Sequence, residues 1–211
     1  INTAHGKINT PSFIFCGTKA TVKSVLPSQL KLARTQIILS NTYHLMLQPG
    51  SEIISKEGGL QSFTDWNGPM MTDSGGYQIF SLGYGSVSEE IKGKNNYAKR
   101  KSLIKITEDG ASFRNYINGD KVFLSPERSI ELQRDFGADL IFVLDECTPF
   151  NVSKKYTEKS MYMSHRWAER CINSFDSKFK KYNSTFGSSG KQSLYGICLL
   201  YTSDAADEDL R

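Results

Sequence analysis

At positions 70–78 the chain reads Met-Met-Thr-Asp-Ser-Gly-Gly-Tyr-Gln. Asp73 can accept or donate a proton. Ser74 adds a hydroxyl, and Gly75 and Gly76 let backbone amides come close to a ligand. Tyr77 offers a flat aromatic face. That combination suits a small planar ligand such as a nucleobase better than it suits a core. A second carboxylate, Asp145, follows the apolar run 140–144 and precedes Glu146-Cys147-Thr148-Pro149. Asn41 follows the apolar run 37–39 in the same way. Two Asp residues just after buried strands face one mouth if both strands belong to one barrel. The plainer alternative is that each caps the helix after it. Asn41 also suits a turn or a cap, Tyr77 could pack at a helix start, and Cys147 reads as a small buried hydrophobe rather than a nucleophile.

The elements that must hold these groups are legible in order. Residues 1–11 alternate around His5-Gly6-Lys7 and read as a hairpin. Residues 13–16 are a candidate first buried strand, and 27–34 fit a short helix with Pro27 in its first turn. The run 37–39 reads as a second strand, a helical turn closes at Pro49-Gly50, and 51–57 form a short helix stopped by Gly58-Gly59. Met70-Met71 is the third run. Strands are expected at 87–91, 103–106, 111–116 and 121–124, the last two joined through Asn118-Gly119, as a polar antiparallel interruption. Ser125 as N-cap, Pro126 at the first helical position and Gly137 as the stop frame a helix to Phe136. The run 140–144 is apolar at every position, as in a parallel strand covered on both faces. A long amphipathic helix over 153–175, a polar loop over 179–192 and a further apolar run at 194–197 follow.

Strand and helix alternate, with polar residues after each apolar run, which is an α/β layout. The fold expected is a (β/α)8 TIM barrel or an open doubly wound sheet. No G-x-G-x-x-G or Walker loop is present, which weakens a nucleotide-cofactor reading. The chain has 211 residues. A barrel needs roughly 250, so an incomplete barrel, its first half plus the antiparallel insertion, is expected.

Composition is that of an ordinary globular chain, with a formal charge of +4 that suits a phosphate-bearing partner without demanding one. Lys and Arg gather loosely at 92–105 and 178–191. No apolar run is long enough to span a bilayer. No secretory signal is present, so reduced thiols and a cytoplasmic location are expected. Cys16, Cys147, Cys171 and Cys198 show no C-x-x-C spacing, so no zinc site is written here. His5, His44 and His165 are scattered and read as hydrogen-bonded structural residues. Trp66 and Trp167 read as packing. Ile1 opens inside a strand, and a preceding segment is expected.

Several blocks together carry a resemblance. Thr72-Asp73-Ser74-Gly75-Gly76-Tyr77-Gln78 is joined by Gly17-Thr18-Lys19-Ala20-Thr21-Val22-Lys23, Asn41-Thr42-Tyr43-His44-Leu45, Glu108-Asp109-Gly110-Ala111, Phe113-Arg114, Leu124-Ser125-Pro126-Glu127, Leu144-Asp145-Glu146-Cys147-Thr148-Pro149 and Ser164-His165-Arg166-Trp167. In this order they resemble the tRNA-guanine transglycosylases, or queuine tRNA-ribosyltransferases, over about residues 1–197. Glu146-Cys147-Thr148-Pro149 resembles the bacterial branch rather than archaeal relatives that modify another tRNA position.

The resemblance implies that guanine at the anticodon wobble position of tRNA is exchanged for a deazaguanine precursor of queuosine. The exchange would run through a covalent Asp–RNA intermediate, with the target nucleotide out of its stack. It implies that Asp73 handles the base's proton, Ser74, Gly75 and Gly76 line the pocket, and Tyr77 stacks on the base. Asp145 would accept the guanine-like edge, Cys147 would line the same wall, and Asn41 would support Asp73. The attacking Asp and the zinc ligands of such enzymes are expected beyond this chain, and the intact enzyme is expected as a homodimer. This part alone is expected to be inactive. Two other readings are a carbohydrate-active (β/α)8 hydrolase using the Asp73–Asp145 pair, and a non-catalytic tRNA-binding paralogue.

After Ile197 the resemblance breaks. Residues 198–208 back-translate, codon by codon, into a transposase adapter used in sequencing libraries and are read as an assembly artefact. Residues 209–211 resemble family text downstream. Without Asp204, Asp207 and Glu208 the formal charge moves from +4 to +7, which favours an RNA partner more clearly.

Overall fold

The computed structural model describes residues 1–84, 104–148, 152–182 and 192–197. The chain opens with an antiparallel hairpin of β1 (Asn2–Thr3) and β2 (Gly6–Lys7). Then come β3 (Phe15–Cys16), α1 (Pro27–Leu32), β4 (Ile38–Ser40), α2 (Thr42–Leu47), α3 (Ser51–Lys56), α4 (Leu60–Thr64) and β5 (Met70–Thr72). The helix α5 (Gly76–Tyr84) leads to an antiparallel sheet of β6 (Ile104–Thr107), β7 (Gly110–Arg114) and β8 (Lys121–Leu124). The helix α6 (Pro126–Phe136), β9 (Leu140–Phe142), α7 (Lys154–Tyr182) and β10 (Ser193–Tyr195) complete the described elements.

The strands β3, β4, β5, β9 and β10 form one parallel sheet, and their spatial order is their chain order. A doubly wound sheet reverses its order at a switch point; these five strands show no reversal.

Alternation along the strands sorts the core into two faces. Ile38, Met70 and Ile141 join the large cluster under the helices, with Leu45, Ile54, Leu60, Ile130 and Phe136. Ile37, Met71 and Leu140 point the other way and meet Ile8 from the region after the hairpin. On that second face Ile14, Leu39 and Phe142 are only partly buried.

The strand β5 meets β9 through one bridging pair, Met71 with Leu140. The side-chain amide of Gln133, fully buried on α6, spans the rest of that junction. Its Oε1 accepts from Thr72 Oγ1 at 3.2 Å and from Phe142 N at 2.9 Å, and its Nε2 donates to Phe142 O at 2.8 Å. The cap signals of α6 hold: Ser125 Oγ accepts from Arg128 N at 3.2 Å, and Gly137 ends the helix at φ 73°.

Some expectations shift. The strand expected at 13–16 is only Phe15–Cys16. Phe13 is 74% exposed and Cys16 is exposed, because β3 is an outer strand of the described sheet. The run 140–144 gives a strand of three residues, since the chain turns off the sheet to deliver Asp145. The strand at 111–116 stops at Arg114, where Asn115 and Asp120 pair across the turn. The short helix α4 carried no signal beyond Gly59 and is an addition. The helix α7 runs past its expected end at 175 to Tyr182, since nothing at 176–182 stops it: no Gly or Pro occurs there. The strand at 87–91, the basic residues 92–103, the remainder of the 179–192 loop up to 191, and the tail 198–211 lie outside the described residues.

At the amino end of the sheet, Asp139 is buried and its side chain is fully enclosed. Its Oδ1 faces His5 Nδ1 at 2.8 Å, and its Oδ2 accepts from Met70 N at 2.9 Å and Gln61 Nε2 at 3.2 Å. The hydrogen bond to Asp139 raises the His5 pKa above its ordinary 6.5, against the opposing effect of burial. The stabilisation is therefore fully present below the unfolded value of about 6.5 and is lost as pH rises through the higher folded value. Exchange of His5 for glutamine is expected to lower Tm by a few degrees at pH 6 and by less at pH 9. Equal losses in melts at the two pH values would contradict a charged latch.

Candidate active site

Asp73 directly follows β5. Its carboxylate is held by three donors besides the local backbone amide of Gly75. Oδ1 accepts from Thr42 N at 2.8 Å, and Oδ2 accepts from Gln78 Nε2 at 2.7 Å and from Asn41 Nδ2. Thr42 Oγ1 donates to the Asp73 carbonyl at 2.6 Å. The alternative that each Asp caps the helix after it does not hold for Asp73. Asp73 accepts the first amide of α2, the helix after the neighbouring strand, and not an amide at the start of α5 beyond Gly75. The amide of Gly76, which opens α5, is taken by Ser74 Oγ at 3.3 Å. Burial pushes the Asp73 pKa above the usual carboxylate value, and the hydrogen bonds from Asn41, Thr42, Gln78 and Gly75 only partly offset it. Burial thus favours the protonated form of Asp73 more than in an exposed carboxylate.

Asp145 lies beyond β9 and is buried. Ser74 Oγ donates to its Oδ1 at 3.3 Å, and Cys147 Sγ contacts its Oδ2 at 3.6 Å. Burial lifts the Asp145 pKa to about 6, more than the Cys147 and Ser74 hydrogen bonds lower it, and the charge of Asp73 adds to the rise. The Cys147 thiol is itself pushed up to about 12 by burial and by Asp145. It stays protonated, so it serves as a weak donor to Asp145 and not as a nucleophile.

The glycines are needed for different reasons. Gly75 has φ 89°, and a Cβ there would meet the Leu124 side chain at 3.3 Å. A Cβ at Gly76 would stand 2.6 Å from the Asp145 carbonyl and 2.9 Å from its Oδ1. The chain therefore passes directly against the second carboxylate. Gly76, Asp145 and Cys147 line a small cleft with Ile106 and Ala111 of the antiparallel sheet. Tyr77 stands apart: it is 49% exposed, with its ring 6.1 Å from that of Phe80. It is not a core residue.

Neighbouring helices fix this arrangement. Ser129 Oγ of α6 donates to the Ser74 carbonyl at 2.8 Å. Ser164 Oγ and Ser160 Oγ of α7 bind the Glu146 amide and carbonyl at 3.0 and 3.2 Å, and Tyr156 Oη donates to Glu146 Oε1. The turn between β6 and β7 is clamped to α7. Arg166 makes a bidentate pair with Glu108 at 2.6 and 2.8 Å, and Trp167 Nε1 donates to the Glu108 carbonyl at 2.7 Å. Arg170 grips Glu127 and the Glu108 carbonyl. Both tryptophans pack as expected, Trp66 giving its Nε1 to Pro69 O at 3.1 Å.

Asn41 with Asp73, and Ser74, Gly76, Asp145 and Cys147 with one another, are thus brought together. Thr42 and Gln78 are the members that residue-type reasoning missed. Gln78 had a signal: it lies five residues after Asp73, one turn into the helix. The hold of Thr42 on Asp73 depends on strand pairing and had none. Among the described residues no group of three or more His, Cys, Asp or Glu side chains is placed to hold a metal ion. Among the described residues no helix is long and apolar enough to cross a membrane.

A buried carboxylate, Asp145, and a partly buried one, Asp73, gathered beyond the carboxyl ends of adjacent parallel strands define an α/β protein with a site where such folds carry ligand chemistry. The family described as queuine tRNA-ribosyltransferase matches residues 1–199, and the chain belongs to that family. A queuine tRNA-ribosyltransferase of Roseiflexus sp. (strain RS-1) is 46% identical over 173 residues, 82% of this chain and 43% of that protein. One of Staphylococcus haemolyticus (strain JCSC1435) is 46% identical over 173 residues, again 82% of this chain and 41% of that protein. One of Staphylococcus aureus (strain JH9) is 45% identical over 172 residues. The chain spans less than half the length of these relatives.

Proposed function

We propose that residues 1–197 are the base-binding part of a single (β/α)8 catalytic domain that exchanges guanine at the tRNA anticodon wobble position for a deazaguanine. The observation that carries the reading is the Asp73–Ser74–Asp145 arrangement in a member of this family. Five parallel strands in chain order, with one face only partly covered, suit the first half of a barrel. Asp145 accepts two neighbouring N–H donors from the guanine-like edge, and Gly76 leaves room beside it. A carboxylate supplied from outside this chain attacks the ribose anomeric carbon, and the glycosidic C–N bond breaks with its electron pair going to guanine. Asp73 gives the departing base its proton. It takes the proton back from the incoming deazaguanine, whose nitrogen then displaces the enzyme carboxylate. Tyr77 covers the exposed side of the base.

The zinc of such enzymes finds no fitting ligand group among the described residues, and its ligands are expected in other parts of the whole protein. A homodimer, a cytoplasmic location and the inactivity of this part alone belong to the same reading. The test is incorporation of labelled guanine into tRNA by the full-length protein. Label at the wobble position is expected, and none in tRNA lacking guanine there. A folded full-length protein that incorporates none overturns the reading. Incorporation by residues 1–211 alone overturns the placement of the attacking carboxylate outside them.

A further inference from the structure

We infer that Lys19 and Tyr116 form a subsite for the RNA nucleotide adjoining the exchanged base, Tyr116 stacking on its base and Lys19 binding its phosphate. The inference rests on the tRNA-directed reading above.

Three segments converge at the rim beside Asp73. Lys19 lies in the loop after β3, His44 in α2, and Tyr116 in the turn between β7 and β8. The Tyr116 ring lies nearly parallel to Tyr43, at 6.2 Å and 28°, with the His44 ring edge-on at 6.0 Å. Tyr43 is buried and braced by Phe113 at 5.4 Å. The inner side of the Tyr116 ring is thus fixed, while the residue remains 49% exposed. A rigid, half-exposed ring is the platform on which a single-stranded base stacks.

Lys19 is exposed, its Nζ stands over the Tyr116 ring 5.7 Å from the centre, and no salt bridge to it forms among the described residues, so a base that takes this face moves the ammonium outward toward its phosphate. Ammonium and ring together match a nucleotide, which offers a phosphate and a flat face. The cluster also adjoins the reacting site. Burial lowers the His44 pKa below 6.5, the charge of Lys19 adds to the fall and that of Asp73 opposes it, and the α2 amide next to Tyr43, that of Thr42, is bonded to Asp73. Beneath the platform, Tyr43 Oη and His44 Nδ1 are buried with no partner among the described residues.

The test compares Lys19→Ala, Tyr116→Ala and Tyr116→Phe in the full-length protein, reading KM for tRNA, KM for the free base, and direct binding of an anticodon stem-loop against salt. Tyr116→Ala is expected to raise the RNA KM by about tenfold, the scale of one lost base–ring stack. Tyr116→Phe, which keeps the ring, should behave as the parent. Lys19→Ala should weaken RNA several-fold and reduce the slope of log affinity on log salt by about one. The base KM should stay level in all three. An RNA KM within twofold of the parent in the alanine variants overturns the subsite, as do an unchanged salt slope in Lys19→Ala and a base KM that rises in step. A parent that binds stem-loop RNA but exchanges no base removes the proposed function, while the variants' affinities still decide the subsite. A parent that binds no RNA removes both.

Discussion

Replacing Asp73 with asparagine is expected to slow base exchange by the full-length protein by about 10²- to 10⁴-fold, the contribution of a positioned acid–base group. The loss has two sources. An amide cannot carry the proton between the departing and incoming bases. It also breaks the donor pattern around the side chain. Asn41 and Gln78 both donate to one oxygen while the Thr42 amide donates to the other. An asparagine that keeps its carbonyl on Thr42 turns its own NH2 toward two other NH2 groups, and a flipped one faces the Thr42 amide instead. Single-turnover exchange should show the loss while the circular dichroism of the variant matches the parent. A rate within tenfold of the parent would remove Asp73 from the proton path.

Asp145→Asn should do something less intuitive: stabilise the protein while abolishing base affinity. Burial raises the Asp145 pKa from 3.8 to about 6. Between those values the folded state holds more protons than the unfolded one, so stability falls as pH rises through that window. The cost of the ionised group is about 3 kcal/mol at pH 8, from 1.36 kcal/mol per unit. Asparagine avoids it but must turn its NH2 toward either Ser74 Oγ or Cys147 Sγ. A net gain on the order of 2 kcal/mol and a Tm higher by a few degrees follow at pH 8. At pH 4 the gain should vanish, because the parent carboxyl is by then largely protonated. Base binding by the parent should weaken as pH drops below about 6, because a protonated carboxyl no longer accepts from both N–H groups. A destabilised Asp145→Asn variant at pH 8, or parent binding that is flat from pH 8 to 5, would contradict the buried acceptor.

The readable parts of the chain are those where local chemistry and tertiary structure agree. Ser125, Pro126 and Gly137 frame α6 with a cap, a restricted φ and a left-handed stop, and each acts within a few residues of its neighbours. The apolar runs placed β4, β5 and β9 because strands covered on both faces read as near-continuous apolar stretches, even though β4 and β5 each end on a buried hydroxyl, Ser40 and Thr72. The motif 72–78 placed Asp73, Ser74 and the two glycines for the same reason: a close turn against a carboxylate leaves few residue choices. What escaped was set by distance in the chain. Cys16 and Phe13 read as buried because nothing local shows that β3 lies at the edge of the described sheet. Thr42 reaches Asp73 only because β4 and β5 pair in register, Ser40 with Thr72. Gln133 reads as an ordinary helical residue, yet it connects two strands.

That glutamine has a consequence for the site. Asp73 follows β5 and Asp145 follows β9, so the two carboxylates sit on opposite banks of the junction that Gln133 bridges. Elsewhere in the sheet, a ladder of backbone bonds fixes how far neighbouring strands stand apart. Here the span is set by a single bridging pair, by Asp139 on the amide and carbonyl of Met70, and by the Gln133 side-chain amide. The spacing of the two carboxylates is thus held in part by a glutamine on a helix behind the sheet.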